Sequence, residues 1–215
     1  MLVKDQMTPN PICGHPEMPV TEAQELMQKN KIRHLPILDA DEKLVGLVTQ
    51  RSLLNAVPPD LTKFSPFVVN YVLGKIKARN VMVKDIVTIS EDTALEEAAR
   101  VMADRHIGCL PVIRDDKLVG IISDNDLFNI MVGLLGARRG GVRITVHHPD
   151  RVGEVARLSR AIAEKGGNLS VFVTYPTTDP QIWASVVKVA NIPEESVVET
   201  VRNLPEIEVT DVRKA

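Results

Sequence analysis

Hydrophobic residues recur in a repeated order along the first 130 positions of the chain. Residues 32–37, Ile-Arg-His-Leu-Pro-Ile, return 75 positions later as Ile-Gly-Cys-Leu-Pro-Val. Residues 44–49, Leu-Val-Gly-Leu-Val-Thr, return 74 positions later as Leu-Val-Gly-Ile-Ile-Ser. A period that is kept across several segments indicates a duplicated supersecondary unit. We therefore predict two copies of one fold, at residues 1–56 and 78–137.

The pattern within each copy predicts the order strand, helix, strand, strand, helix. A helical apolar face comes first, and two short apolar runs joined by an acidic turn follow it. The second helix begins at a hydroxyl residue, Thr49 in the first copy and Ser123 in the second, which is a preferred N-cap type. Because a unit of this size buries little apolar surface alone, we expect the copies to pack as a pseudo-twofold pair.

Two further segments lie outside the repeats. Residues 57–77 begin with a proline-rich turn and continue as an apolar helical face, which predicts a connecting helix. Residues 138–215 follow a different order, strand, helix, strand, strand, helix, strand, which is typical of the ferredoxin-like βαββαβ fold. The predicted fold class is therefore α/β (α+β) in all three folded segments.

Composition and charge exclude several classes of protein. The chain of 215 residues contains 44% hydrophobic and 25% charged residues, as expected for a globular protein. A net charge of −2 gives no basic surface for nucleic acid or an anionic membrane. The longest apolar runs are far shorter than the roughly 20 residues of a membrane span, and the N-terminus lacks the apolar segment of a signal peptide. We therefore expect a cytoplasmic protein with no nucleic-acid or membrane partner.

The sequence shows no grouping of residues that is typical of a metal site or of catalysis. Cys13 and Cys109 are 96 positions apart, which favours buried, reduced thiols. His147 and His148 are adjacent, so on a strand they would point to opposite faces, and we expect a solvated strand end there. We accordingly predict no catalytic residue, no metal ligand and no required cofactor.

Residues 118–126 place an apolar strand, a glycine and a helix start next to each other. Helix amides suit phosphate, and a nearby carboxylate can accept hydrogen bonds from sugar hydroxyls. Gly120, Ser123 and Asp126 could therefore hold a nucleotide. The alternative is that Ser123 and Asp126 form a relative of the capping box, which satisfies helix amides and binds no ligand.

Residues 33–37 and 120–126 carry a resemblance to a known family. Through them, the two copies resemble a tandem pair of CBS domains, the Bateman module, over about residues 3–130. The resemblance implies that AMP, ATP or S-adenosylmethionine binds in clefts between the repeats. It assigns Ser123 to phosphate and Asp126 to ribose, and it gives Thr49 the place of Ser123 in the first copy. Arg33 and His34 match basic positions that often face the phosphates.

The two copies differ at these positions. Ser52 stands in the first copy where Asp126 stands in the second, and serine cannot clamp a diol as a carboxylate does. Conversely, Gly108 and Cys109 replace Arg33 and His34. We therefore expect one good nucleotide site per chain, with the ribose contact made by Asp126. The sequence leaves open which cleft Arg33 and His34 serve.

Residues 138–215 resemble an ACT domain through residues 150–153 before the helix and 167–169 after it. In that family amino acids can bind at an interface between paired domains, which implies a possible effector site at Gly153 and Asn168. Tight turns would explain both residues without a ligand. The complete order of domains resembles acetoin-utilisation protein B-like CBS/ACT regulatory proteins, and the resemblance implies a homodimer.

Three functions are compatible with these features. The first is a regulatory sensor that binds an adenine nucleotide and relays its presence through the ACT domain or a partner. The second is a structural or assembly dimer without a ligand. The third is an enzyme acting on a bound nucleotide. It is less favoured because such an enzyme needs a base or a metal near the phosphates, and the sequence offers only Arg33 and His34 there.

Overall fold

The structure is a computed structural model that describes residues 1–56 and 66–214. The chain divides into an N-terminal unit, Met1–Leu127, and a C-terminal unit, Phe128–Ala215. The proline-rich turn predicted at residues 58–60 lies outside the described residues. Within the described ranges, no helix is long and apolar enough to cross a membrane.

The N-terminal unit contains the two repeats and the helices between them. The helices are α1 Val20–Lys29, α2 Gln50–Asn55, α3 Pro66–Lys75, α4 Ala78–Val81, α5 Leu95–Arg105 and α6 Asp124–Leu134. The strands are β1 Thr8–Pro9, β2 His34–Leu38, β3 Leu44–Thr49, β4 Ile89–Ser90, β5 Cys109–Arg114 and β6 Lys117–Ser123. The chain passes into the C-terminal unit within α6.

The element order predicted for each copy is confirmed. In the second repeat β4 is parallel to β5, α5 follows β4, and β5 pairs antiparallel with β6. The first repeat has the antiparallel pair β2–β3, and a parallel bridge between Gly14 and Ile37 stands in the place of β4. The predicted connecting helix is α3, whose Leu73 is buried in the core of the first repeat.

The first segment of each repeat, which includes Thr8–Pro9 in one copy and Val83 in the other, pairs with the other repeat. Strand β1 lies antiparallel to β6, with Thr8 opposite Ile121. Val83, near the start of the second repeat, exchanges two backbone hydrogen bonds of 2.9 Å with Leu47 of β3. The two repeats are therefore joined by exchanged backbone segments as well as by the chain between them.

A glycine at the equivalent position of each repeat leaves room for the segment that crosses over from the other repeat. A Cβ on Gly120 would overlap the Met7 side chain, and one on Gly46 would overlap Met82. Each methionine belongs to the exchanged segment and lies across the strand of the other repeat. Gly120 thus has a packing role that is independent of any ligand.

The C-terminal unit has the predicted βαββαβ order. Its strands are β7 Val142–Pro149, β8 Asn168–Pro176, β9 Ile182–Ala190 and β10 Glu208–Lys214, and its helices are α7 Glu154–Glu164 and α8 Glu194–Arg202. The antiparallel sheet has the order β10-β7-β9-β8. One face of the sheet packs against the helices through a mostly valine and isoleucine core that includes Ile144, Leu158, Ile162, Val187 and Val201.

The expectation of a solvated strand end was wrong for His148, which is only 6% exposed. Strand β7 continues to Pro149, so His148 lies on the same face as the buried Ile144 and Val146. Its Nε2 lies 2.8 Å from Ser185 Oγ and its Nδ1 lies 3.0 Å from the Pro149 oxygen. Local hydrogen bonds therefore satisfy the buried ring.

The two cysteines are free thiols. Cys109 is buried, as predicted, and burial raises the pKa of its thiol to about 12. Cys13 is only partly buried, and burial raises its pKa as well. A raised pKa keeps a thiol in its weakly nucleophilic, protonated form.

Candidate nucleotide site

A cavity of about 610 Å³ opens in the N-terminal unit beside the start of α2. Both repeats contribute polar and apolar residues to its lining. The lining residues are Arg33, His34, Leu47, Thr49, Gln50, Arg51, Leu54, Val83, Asp85, Ile86, Val87, His106, Ile107, Gly108 and Cys109.

Backbone hydrogen bonds bring Arg33, His34 and Thr49 together in this cavity. His34 begins β2 and lies opposite Thr49, the last residue of β3. The Gln50 amide at the start of α2 donates a hydrogen bond of 3.1 Å to the Arg33 carbonyl oxygen. The sequence left open which cleft Arg33 and His34 serve, and the structure places both with Thr49 in this cavity.

The hydrogen-bonding groups of Ser52 are used in capping α2. Its amide donates to Thr49 Oγ1 at 3.0 Å, its Oγ accepts from the Thr49 amide at 2.9 Å, and its hydroxyl donates to the Thr49 carbonyl oxygen at 3.0 Å. A hydroxyl has one proton to donate, so Ser52 has none left for a ligand in this conformation. Thr49 accepts the capping bond and keeps its own hydroxyl proton for another acceptor.

Ser123 and Asp126 occupy the equivalent place in the second repeat and do not line this cavity. Asp126 Oδ2 accepts hydrogen bonds from the Ser123 amide at 2.8 Å and from the Ser123 hydroxyl at 2.7 Å. The capping interaction proposed as the alternative therefore exists. It uses one of the two Asp126 carboxylate oxygens and the single hydroxyl proton of Ser123, so in this conformation Asp126 keeps a free oxygen for a ligand and Ser123 has no proton left for one.

An ion pair between Arg33 and Asp124 joins the two repeats. Sequence reasoning missed Asp124 because it stands between the two motif positions Ser123 and Asp126. The sequence did contain a signal, which is that the equivalent residue of the first repeat, Gln50, is uncharged. Asp124 is the first residue of α6, and its amide donates a hydrogen bond of 3.0 Å to the Gly108 carbonyl oxygen.

His34 lies beside this ion pair. Burial lowers the pKa of its imidazole below the ordinary value of 6.5, and the charge of Arg33 lowers it further, while Asp124 and Asp126 act in the opposite direction. A Cβ on Gly108 would lie 3.3 Å from His34 Nε2, so the second repeat also packs closely on the ring. Burial and Arg33 therefore both favour the neutral form of the His34 imidazole.

The two predicted effector residues of the C-terminal unit lie apart from each other. Gly153 has φ +95° at the N-cap of α7 and lines a cavity of about 380 Å³ that also contains Arg157 and Arg160. Asn168 is exposed at the start of β8 and does not line that cavity. Throughout the described part of the chain, no group of three or more His, Cys, Asp or Glu residues could hold a metal ion.

Solved structures that resemble this chain include three CBS proteins. A Vibrio cholerae protein assigned to acetoin utilization (AcuB) is 35% identical, with a TM-score of 0.53, and the match covers 64% of this chain and 95% of that one. The CBS domain pair of protein MJ0100, in complex with 5′-methylthioadenosine and S-adenosyl-L-methionine, is 28% identical at a TM-score of 0.53 and covers 62% and 97%. CBSX2 in complex with AMP is 30% identical at a TM-score of 0.51 and covers 61% and 96%.

Curated relatives include much longer proteins. The L-aspartate semialdehyde sulfurtransferase of Methanocaldococcus jannaschii is 29% identical over 133 residues, which are 61% of this chain and 23% of that protein. The chain thus spans about a quarter of that relative's length. The family model described as CBS domain matches residues 3–59 and 78–133, together more than half of the chain. This chain therefore belongs to the CBS-domain family and carries a tandem CBS pair.

Proposed function

We propose that the protein is a regulatory sensor that binds an adenine nucleotide in its CBS pair. The observation that carries this proposal is the cavity of about 610 Å³ that gathers Arg33, His34 and Thr49 beside an apolar wall. Small-molecule sites commonly have volumes of about 300–1,000 Å³, mostly apolar linings and a few convergent polar groups. The cavity has each of these properties.

The lining residues have the chemistry that a nucleotide requires. Arg33 and Arg51 offer guanidinium donors for phosphate, and the Thr49 hydroxyl offers a further donor. Leu47 and Ile107 contribute apolar surface on which a base can pack. The cleft of the second repeat is a second candidate, in which Asp126 offers its free carboxylate oxygen to ribose and Ser123 offers its hydroxyl to phosphate after that hydroxyl rotates away from Asp126. Gly120, the third site residue of this repeat, packs against Met7.

Two relatives support an adenine ligand. MJ0100 was solved with 5′-methylthioadenosine and S-adenosyl-L-methionine, and CBSX2 was solved with AMP. All three ligands contain adenine and a ribose with free 2′ and 3′ hydroxyls, and they differ in charge and in the 5′ group. Our candidates are therefore AMP, ATP and S-adenosylmethionine, bound as regulatory ligands.

Calorimetric titration with these three compounds tests the proposal. The wild-type protein is expected to bind at least one of them below millimolar concentration. Arg33→Met should weaken binding if the ligand occupies the cavity of the first repeat, and Asp126→Ala should weaken it if the ligand occupies the second cleft. Failure of all three compounds to bind the folded wild-type protein at millimolar concentration would refute the sensor.

We further propose that the C-terminal unit is an ACT domain that reads the state of the CBS pair. Its βαββαβ order and the sequence resemblance support this assignment. Gly153, in the cavity with Arg157 and Arg160, and Asn168 are the candidate residues for an amino acid effector. Titration of Gly153→Val with the amino acids that bind the wild type tests this part.

Helix α6 is the proposed route of the relay. Its first residue, Asp124, pairs with Arg33 of the cavity. Gly136, two residues beyond its end, accepts a hydrogen bond of 2.8 Å from the buried Lys188 of β9. A displacement at the first turn of this helix would therefore act on a residue anchored to the C-terminal sheet.

An assembly dimer is the second candidate function, and exposed apolar residues favour it. Phe128, Met131 and Leu134 follow at spacings of three on α6 and are 59%, 48% and 60% exposed. Such a stripe is typical of a protein contact. Light scattering of the wild type and of Met131→Glu tests the homodimer, and a wild-type monomer would contradict it.

A further inference from the structure

Arg33 of the first repeat and Asp124 of the second form an ion pair at the edge of the cavity. We propose that Asp124 is a specificity-determining residue: its carboxylate holds the Arg33 guanidinium until an anionic group on a ligand displaces it. This inference rests on the proposed nucleotide site and specifies how that site selects its ligand.

The backbone fixes both partners of the pair. The Arg33 carbonyl oxygen accepts from the Gln50 amide at 3.1 Å, and the Asp124 amide donates to the Gly108 carbonyl oxygen at 3.0 Å. Asp124 Oδ1 also accepts a hydrogen bond of 2.7 Å from the Asn125 amide. The carboxylate thus accepts a hydrogen bond from its own helix as well as from Arg33.

The pair has no counterpart across the pseudo-twofold axis. The residue equivalent to Arg33 is Gly108, and the residue equivalent to Asp124 is Gln50, so neither can form an ion pair. This pair is therefore asymmetric, unlike the ion pairs Lys4–Asp92 and Arg79–Glu17, which join the repeats at equivalent positions. If this ion pair served only to hold the repeats together, it would not need to be asymmetric. The exchanged segments already link each repeat to the other.

A ligand phosphate would compete directly with Asp124. Both are anions that bind guanidinium through the same donors, and two anions held side by side repel each other. The side chains of the pair remain 39% and 38% exposed, so solvent screens their attraction and a ligand can displace it. A neutral nucleoside has no group that competes for Arg33, so Asp124 should not affect its binding.

Calorimetric titration with AMP and with adenosine compares an anionic ligand, which should compete with Asp124, with a neutral ligand, which should not. Asp124→Asn keeps an oxygen acceptor for the Asn125 amide and removes the charge, and Asp124→Gln reproduces the residue of the first repeat. Both variants should bind AMP about fivefold more tightly than the wild type, because an exposed ion pair contributes up to about that factor, and should bind adenosine unchanged. Asp104→Asn, which alters an exposed carboxylate paired with Arg100, is the matched control and should change neither affinity.

The outcomes distinguish this inference from the proposed function. If the wild type binds AMP and both Asp124 variants, folded by circular dichroism, bind it equally or more weakly, the competition is refuted while the nucleotide site stands. An equal gain for AMP and adenosine would also refute it, because the charge of the ligand would then be irrelevant. If neither compound binds any of the proteins, the inference fails, and the proposed site fails with it only when ATP and S-adenosylmethionine also do not bind the wild type.

Discussion

The Nζ of Lys188 donates a hydrogen bond of 2.8 Å to the carbonyl oxygen of Gly136. Lys188 is only 3% exposed although it carries an ammonium group, and Gly136 has φ +61° just beyond the end of α6. A cation at this place satisfies a carbonyl that a helix C-terminus leaves without an intrahelical donor. The C-terminal sheet thereby holds the chain just beyond the end of α6.

Replacement of Lys188 by methionine should destabilise the C-terminal unit. Methionine retains most of the apolar stem but leaves the Gly136 oxygen without its donor, at an expected loss of about 1–3 kcal/mol. Urea unfolding measures the free energy of unfolding. Lys165→Met, at an exposed position after α7, is the control and should change it by less than about 0.5 kcal/mol. Equal stability of the two variants would show that the Lys188 bond contributes nothing.

Alanine at Gly120 or at Gly46 should destabilise the CBS pair. The added Cβ would overlap Met7 in the first case and Met82 in the second, and overpacking of this kind typically costs about 1–3 kcal/mol. Gly133→Ala, where a Cβ meets no atom within 4 Å, should be neutral or stabilising by up to about 1 kcal/mol. Thermal unfolding measures all three.

A second substitution tests the cause of the Gly120 effect. Combined with Met7→Ala, Gly120→Ala should lose less stability than the sum of the two single changes, because the smaller side chain leaves room for the Cβ. Additive losses would show that Met7 is not the group that requires glycine.

The pKa of His34 should shift in opposite directions in two variants. Arg33 lowers this pKa and Asp124 raises it, so Arg33→Met should raise it and Asp124→Asn should lower it. NMR titration of the imidazole carbon-bound protons measures both. A shift of the same sign in the two variants would contradict this electrostatic account.

The same pKa predicts a pH dependence of stability. Because the folded-state pKa is below 6.5, the unfolded chain takes up a proton before the folded protein does as the pH falls below 6.5. His34 therefore contributes a loss of stability that begins near pH 6.5 and grows until the folded-state pKa is reached. His34→Gln should make the free energy of unfolding fall less steeply in this window, and an unchanged slope would refute the prediction.

Aspartate in place of Ser52 should improve nucleotide binding in the first cleft. Asp126 shows that a carboxylate at this helix position can cap through one oxygen, which leaves the other for a ribose diol. Ser52→Asp should raise the affinity for AMP by about tenfold, as expected for one charge-assisted hydrogen bond. The affinity for 2′-deoxy-AMP should rise less, and an equal gain would exclude a contact with the diol.

The sequence by itself determined the duplication, the order of elements in all folded segments and the CBS family. These features follow from local periodicity: apolar spacing distinguishes helix from strand, and two copies with the same order confirm each other. The difference between the two copies at the expected ribose position was also visible in the sequence, since Ser52 stands where the second copy has Asp126.

Only the tertiary structure decided which residues meet. It placed Arg33 and His34 with Thr49, paired Arg33 with Asp124, and buried His148 and Lys188. Arg33 and Asp124 are 91 positions apart, and no local pattern encodes a contact over that distance. The exchanged segments bring them together, because strand pairing between the repeats fixes the register at which the start of α6 faces the start of β2.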